Sequence, residues 1–141
     1  MWFNPIMRWL IRSPLHGFVS KNMMVIGYTG RRSGKRYETP VNYVRNGDDL
    51  LATSYLNRTW WRNLLGGAPV TVWLTGKRIQ ANAEAYSDPV NVTRYLQAYL
   101  EKVPQHARYF NVALDEHGRL DPAQVSQAAQ DRVIVRVRLT T

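Results

Sequence analysis

Cysteine is absent from all 141 residues, which removes disulfides, thiolate zinc sites and cysteine nucleophiles from consideration and fits a reducing cytoplasm. Acidic residues are scarce as well, since ten Asp and Glu face nineteen Lys and Arg, a formal charge of +9. Such an excess raises the local concentration of anionic partners, whether nucleic acid, acidic lipid or a polyanionic cofactor. Only three histidines occur, His16, His106 and His117, far apart and without i, i+4 spacing, so no metal site is expected. Ser33 and Ser54 lack a nucleophile elbow, and Asp48 and Asp49 sit in a hairpin turn where solvated acids are ordinary. Gly30 and Gly34 do not stand between a strand and a helix in a GxGxxG run, which argues against a Rossmann-type nicotinamide enzyme. Long hydrophobic runs are missing too. The apolar start from Met1 to Leu15 is interrupted by Pro5, Arg8, Arg12 and Pro14, so it reads as neither a signal peptide nor a membrane anchor. With no repeat, low-complexity tract or linker, residues 1–141 read as one domain, and 45% hydrophobic content suffices for one core.

What is present is mainly β-prone. Asn4 as N-cap and Pro5 at the first helical position predict a short helix over residues 5–12, with Ile6, Trp9 and Leu10 on one side. Residues 1–20 are expected to form a helical lid segment over an open side of the core. A Trp-rich, basic helix also suits peripheral contact with an acidic membrane surface, so cytoplasmic and membrane-associated locations both stay open. Strands are predicted at Met23 to Tyr28, Thr39 to Val44 and Leu50 to Ser54, the latter two joined by Asn46-Gly47-Asp48, a hairpin signal. A short helix follows at Trp60 to Leu65, stopped by Gly66 and Gly67. Pro69 to Leu74 and Arg78 to Tyr86 alternate as a second hairpin. Asp88-Pro89 opens a helix through about Glu101, ended by Pro104. A loose segment with His106, Tyr109 and Phe110, a short helix near Pro122 to Ala129 and a strand from Arg132 to Leu139 complete the chain. Six mostly antiparallel strands with short peripheral helices define the fold class as α+β, a small barrel or half-open barrel.

The most informative stretch is Thr29-Gly30-Arg31-Arg32-Ser33-Gly34-Lys35-Arg36, four cations, two glycines and two hydroxyls in one hairpin loop. Backbone N–H groups and guanidinium forks converging on one point suit phosphate or carboxylate. A solvated basic hairpin is the alternative on charge alone. The lack of acid–base machinery points to a cofactor that carries the reactivity while the protein binds and orients it.

Tyr28-Thr-Gly-Arg-Arg-Ser-Gly-Lys-Arg-Tyr-Glu-Thr-Pro-Val41, then Trp60-Trp-Arg-Asn-Leu64, then Gly67-Ala-Pro-Val-Thr-Val72 closely resembles the deazaflavin-dependent nitroreductase family, also called the nitroreductase/quinone reductase family. The likeness runs from about residue 10 to residue 86. It implies a split β-barrel that binds reduced coenzyme F-420 and passes hydride to a quinone, nitro compound or other electron-poor acceptor. Carried over, the family's binding role gives Arg31, Arg32 and Ser33, with Gly34, to the phosphate end, with Lys35 and Arg36 near the acidic tail. Thr39, Pro40, Val41 and Asn42 would lie along the ring system. Ala52, Thr53 and Ser54 would add backbone and hydroxyl contacts, and Trp60, Trp61 and Asn63 would close the pocket. His106 and Tyr109 are the acceptor-side candidates. Many members carry an arginine where this chain has Tyr37, which implies one anion contact fewer. FMN, an anionic tetrapyrrole or a lipid is the alternative ligand. A third reading is a polyanion or membrane-surface binder without catalysis; no specific nucleic-acid partner is expected. Monomer and homodimer both remain open.

Overall fold

The structure, a computed structural model, describes residues 23–139. The expected helix at residues 5–12, the lid segment and His16 lie outside the described residues. Seven strands form one antiparallel sheet in the order β2-β1-β5-β6-β7-β4-β3. They are β1 (Met23–Thr29), β2 (Arg36–Asn42), β3 (Val44–Asn46), β4 (Asp49–Tyr55), β5 (Ala68–Leu74), β6 (Lys77–Tyr86) and β7 (Arg132–Leu139).

The seventh strand comes from a break that the sequence conceals. Thr39 to Val44 reads as one strand, yet Tyr43 interrupts it, because the two halves pair with different partners. Asn42 sits opposite Met23 on β1, whereas Val44 sits opposite Leu51 on β4. The chain therefore passes at Tyr43 from one edge of the sheet to the other. Since β2 and β3 are the two edges, this corner curls the sheet into a half-barrel. Pro40 is tolerated because β2 pairs only with β1.

Alternation along the strands separates two cores. Val133, Val135 and Val137 of β7 point into the barrel with Met24, Ile26, Leu50, Val70 and Val72. Ile134 points outward and packs with Leu51 against α1 (Pro89–Lys102) and α2 (Pro122–Ala128). Helix α1 begins where Asp88 accepts the Asn91 N–H at 3.0 Å, with Pro89 in its first turn. It buries Val92, Leu96, Tyr99 and Leu100, the i, i+4, i+7, i+8 stripe of a surface helix. Each buried aliphatic side chain there contributes ~1.5–3 kcal/mol of transfer free energy.

The segment expected to be loose is a 3-10 helix, Pro104–Phe110, ended by Asn111 in the left-handed region (φ 59°). Ala107 and Phe110 anchor it in the second core. Its proline start and single pair of buried residues leave too weak a period to read in sequence. The expected Trp60 helix is likewise one 3-10 turn, Trp60–Leu64. Among the described residues no helix is long and apolar enough to cross a membrane.

Candidate functional site

The basic loop between β1 and β2 is held by its own backbone. Gly30 N–H donates to Lys35 O and Gly34 N–H to Gly30 O, both at 2.8 Å. Lys35 N–H donates to Ser33 Oγ at 3.1 Å, and Ser33 Oγ lies 3.1 Å from the Tyr37 hydroxyl. Arg31 N–H donates to Asn63 Oδ1 at 3.0 Å, which ties the loop to the 3-10 turn. The amides of Arg32 and Ser33, at the tip of the loop, have no acceptor among the described residues. The backbone thus offers two donors, fewer than a fully open cradle.

Arg31 is an anchor as much as a cation. Its Nη2 donates to Leu65 O and, at 3.4 Å, to Gly67 O. Asn63 Nδ2 completes the joint by donating to Trp60 O at 2.9 Å. The side chain of Arg36 leaves the loop on the far face of the sheet, where it reaches Thr29 Oγ1 at 3.3 Å and Thr71 Oγ1 at 3.4 Å. Strand alternation explains this, since Tyr37, the next residue, faces the loop and stacks on Tyr28 at 5.7 Å.

Tyr28, Gly30, Arg31, Arg32, Ser33, Tyr37, Thr59, Trp60, Arg62 and Asn63 enclose a cleft of ≈ 670 Å³. Three arginines and no carboxylate line it. Burial pushes the Tyr28 phenol above its ordinary pKa, so it adds no negative charge at neutral pH. A second cleft of ≈ 490 Å³ lies beyond Trp60, which borders both. Its walls include Thr39 to Asn42, Thr53, Ser54, Arg58, His106, Tyr109 and Arg132, again without a carboxylate. Trp60 is fixed between the two by its indole N–H, which donates to Ser54 Oγ at 3.0 Å.

The structure thus distributes the sequence candidates. Arg31, Arg32, Ser33, Trp60 and Asn63 meet in the first cleft, and Thr39, Pro40, Val41, Asn42, Thr53, Ser54, His106 and Tyr109 in the second. Ala52 and Trp61 are side chains of the barrel core, 0% and 3% exposed, and border neither cleft. Gly34, Lys35 and Arg36 are exposed and outside both linings. Sequence reasoning passed over Arg62, Arg58 and Arg132. Arg62 was legible from its place two residues after Trp60 on a short turn, whereas Arg132 reaches the site only because β7 pairs with β4.

Two glycines in the loop are required for different reasons. A Cβ on Gly30 would lie 2.7 Å from both Ser33 Oγ and Tyr37 Cε2, whereas Gly34 has open space but φ +71°. Gly30→Ala is expected to lever Tyr37 off Tyr28 and destabilise by ~1–3 kcal/mol. Gly34→Ala is expected to cost about 1 kcal/mol through backbone strain alone. Urea unfolding with ligand titration of each variant checks the contrast, since only Gly30→Ala should also distort the cleft.

A family model described as F420H(2)-dependent quinone reductase matches residues 14–115. The chain belongs to that family. The match agrees with the resemblance carried by the loop and the Trp60 turn. No curated protein sequence matches the chain. Among solved structures it is similar to the FAD and heme binding protein from Mycobacterium smegmatis, at 14% identity and TM-score 0.54 over 84% of this chain and 61% of that one. This chain therefore spans less than two thirds of that protein. A putative 5-nitroimidazole antibiotic resistance protein from Bacteroides thetaiotaomicron is similar at 13% identity and TM-score 0.51, over 85% of this chain and 74% of that one. An F420-H2 dependent reductase is similar at 16% identity and TM-score 0.50, over 83% and 95%. At these identities the likeness establishes the split-barrel fold that the family shares.

Proposed function

We propose that the two clefts joined at Trp60 form one coenzyme site, with the anionic tail of coenzyme F-420 in the first and its ring in the second. The observation that carries this reading is the pairing of a three-arginine, carboxylate-free cleft with an adjoining one walled by Thr39 to Asn42, Thr53 and Ser54. Each volume falls in the ~300–1,000 Å³ range of small-molecule sites. When bound, the reduced deazaflavin supplies a hydride. The residues of the chain do the rest. Arg32, Arg62 and the amides of Arg32 and Ser33 hold phosphate and carboxylate oxygens. Arg31 and Asn63 lock the loop onto the 3-10 turn so that these donors keep their positions. Pro40 and Val41 offer an apolar surface to a planar ring, and Thr39, Thr53 and Ser54 offer hydroxyls to its edge.

The acceptor would enter at the far end of the second cleft, beside His106 and Tyr109, as a quinone, nitro compound or similar electron-poor molecule. Burial keeps the Tyr99 phenol there protonated. No side chain is assigned as proton donor, and solvent can supply the second proton.

Titrating the purified chain with coenzyme F-420 while following its fluorescence is expected to give saturable binding at micromolar concentration. Turnover of menadione with the reduced coenzyme should follow. Failure to bind, together with a preparation that is yellow and retains FMN, would overturn this cofactor assignment in favour of the shorter-tailed flavin. Binding of both by competition with a nucleic acid or acidic vesicles, with no turnover, would support a polyanion binder instead.

A further inference from the structure

We propose that Arg132 binds the acceptor through oxygen and makes this site prefer acceptors that carry, or gain, negative charge there. The inference rests on the reading of the second cleft as the place where acceptor and coenzyme ring meet. Arg132 opens β7 directly opposite Tyr55 of β4. That register lays its guanidinium 4.1 Å from the Tyr55 ring centroid, and the 3-10 helix brings Phe110 to 4.3 Å. Aromatic contact occupies the faces of the guanidinium and leaves its N–H edge for hydrogen bonding.

That edge is nearly unspent. Nη2 makes only a long contact of 3.5 Å to Tyr109 O, and since Nε is shut away from solvent beside Asp131, the terminal nitrogens are the donors left for an acceptor. Asp131 Oδ1 stands 3.5 Å from Nε, but the Asp131 side chain is 74% exposed while that of Arg132 is 12% exposed. Exposure of the carboxylate to water weakens that pair. Arg58 and His106 line the same cleft and no acid does. A fixed cation with open donors beside a reacting carbonyl is the arrangement that stabilises charge as it develops.

The chemistry balances without a further reagent. Hydride from the reduced coenzyme, two electrons and one proton, adds to a quinone and leaves a hydroquinone monoanion, which then takes a proton from solvent. The quinone is reduced and the coenzyme leaves oxidised. Arg132 would hold the oxygen on which the negative charge collects.

Calorimetric titration without reduced coenzyme separates the possibilities, using 2-hydroxy-1,4-naphthoquinone, anionic at neutral pH, and neutral 2-methyl-1,4-naphthoquinone. The wild-type chain is expected to prefer the anion at least tenfold. Arg132→Gln should erase that preference while neutral-probe affinity stays within about threefold, and Arg132→Lys should retain part of it. With reduced coenzyme, Arg132→Gln should lower kcat for the neutral quinone on the order of 10–100-fold with little change in KM, because the charge arises only in the transition state. Equal wild-type affinity for the two probes overturns the inference whether or not the variants fold. So does an Arg132→Gln chain that keeps the anion preference. Coenzyme titration of the same samples tells the two failures apart, since intact coenzyme binding with no anion preference removes only the role of Arg132, and absent coenzyme binding removes the site itself.

Discussion

Trp61→Ala is expected to be the most destabilising single change near the site, and to act through the barrel rather than through ligand contact. Trp61 is 3% exposed and packs in the first core, with Leu64 from the same turn beside it. Its indole N–H donates to Tyr55 O at 3.1 Å, so truncation removes a large apolar volume and a hydrogen bond together. Losses of ~3–5 kcal/mol accompany Trp or Phe truncation in a packed core. For a chain of this length that is roughly 10–15 °C in melting temperature, by the usual few degrees per kcal/mol. The neighbouring Trp60→Ala should behave oppositely. Trp60 is half-buried, borders both clefts and meets Tyr28 at 6.0 Å, so its loss should weaken ligand binding more than folding. Thermal melting and coenzyme titration of both variants give the check. Equal loss of stability in the two, with no difference in affinity, would mean that the turn has no binding face.

The contrast shows where sequence reasoning reaches. Two adjacent tryptophans look alike in a sequence, and either can be core or pocket wall. The 3-10 turn of five residues buries Trp61 in the barrel core and leaves Trp60 half-buried at the border of both clefts, and only the register of that turn against β4 decides which is which. The strands were legible because alternation in β6 and β7 is strong, and the half-barrel followed from their number. The break at Tyr43 was not, because β2 and β3 are both β-prone and only their partners differ. The basic loop was legible as a unit, since glycines and cations cluster within eight residues. Its internal division was not. Arg31 is consumed by the carbonyls of Leu65 and Gly67, thirty-four and thirty-six positions away, and Arg36 is turned behind the sheet by strand alternation. Arg62 lies within the Trp60 to Leu64 turn and was legible there, whereas Arg132, in the second lining, comes from a final strand with no motif around it.

That division leads to the prediction with the largest expected effect on binding, the double substitution Arg32→Ala/Arg62→Ala. Both side chains are exposed and line the first cleft, and the Arg32 guanidinium has no hydrogen-bond partner among the described residues. Arg62 lies over the Trp61 ring at 5.0 Å, a contact that orients it without using its N–H edge. A charge-assisted hydrogen bond contributes ~1.5–3 kcal/mol, with exposed groups at the lower end. Two lost together should raise the dissociation constant of coenzyme F-420 about a hundredfold or more, on the scale of 1.4 kcal/mol per factor of ten. The melting temperature should hardly move, because neither side chain supports the fold. Arg31→Ala is the informative companion. It should lower both affinity and stability, since it leaves two carbonyls without their donor and frees the loop from the 3-10 turn. Raising the salt concentration should weaken wild-type binding far more steeply than binding by the double variant, because the variant has little charge left to screen. A dissociation constant unchanged in Arg32→Ala/Arg62→Ala would mean that the anionic tail lies elsewhere, and the first cleft would lose its place in the site.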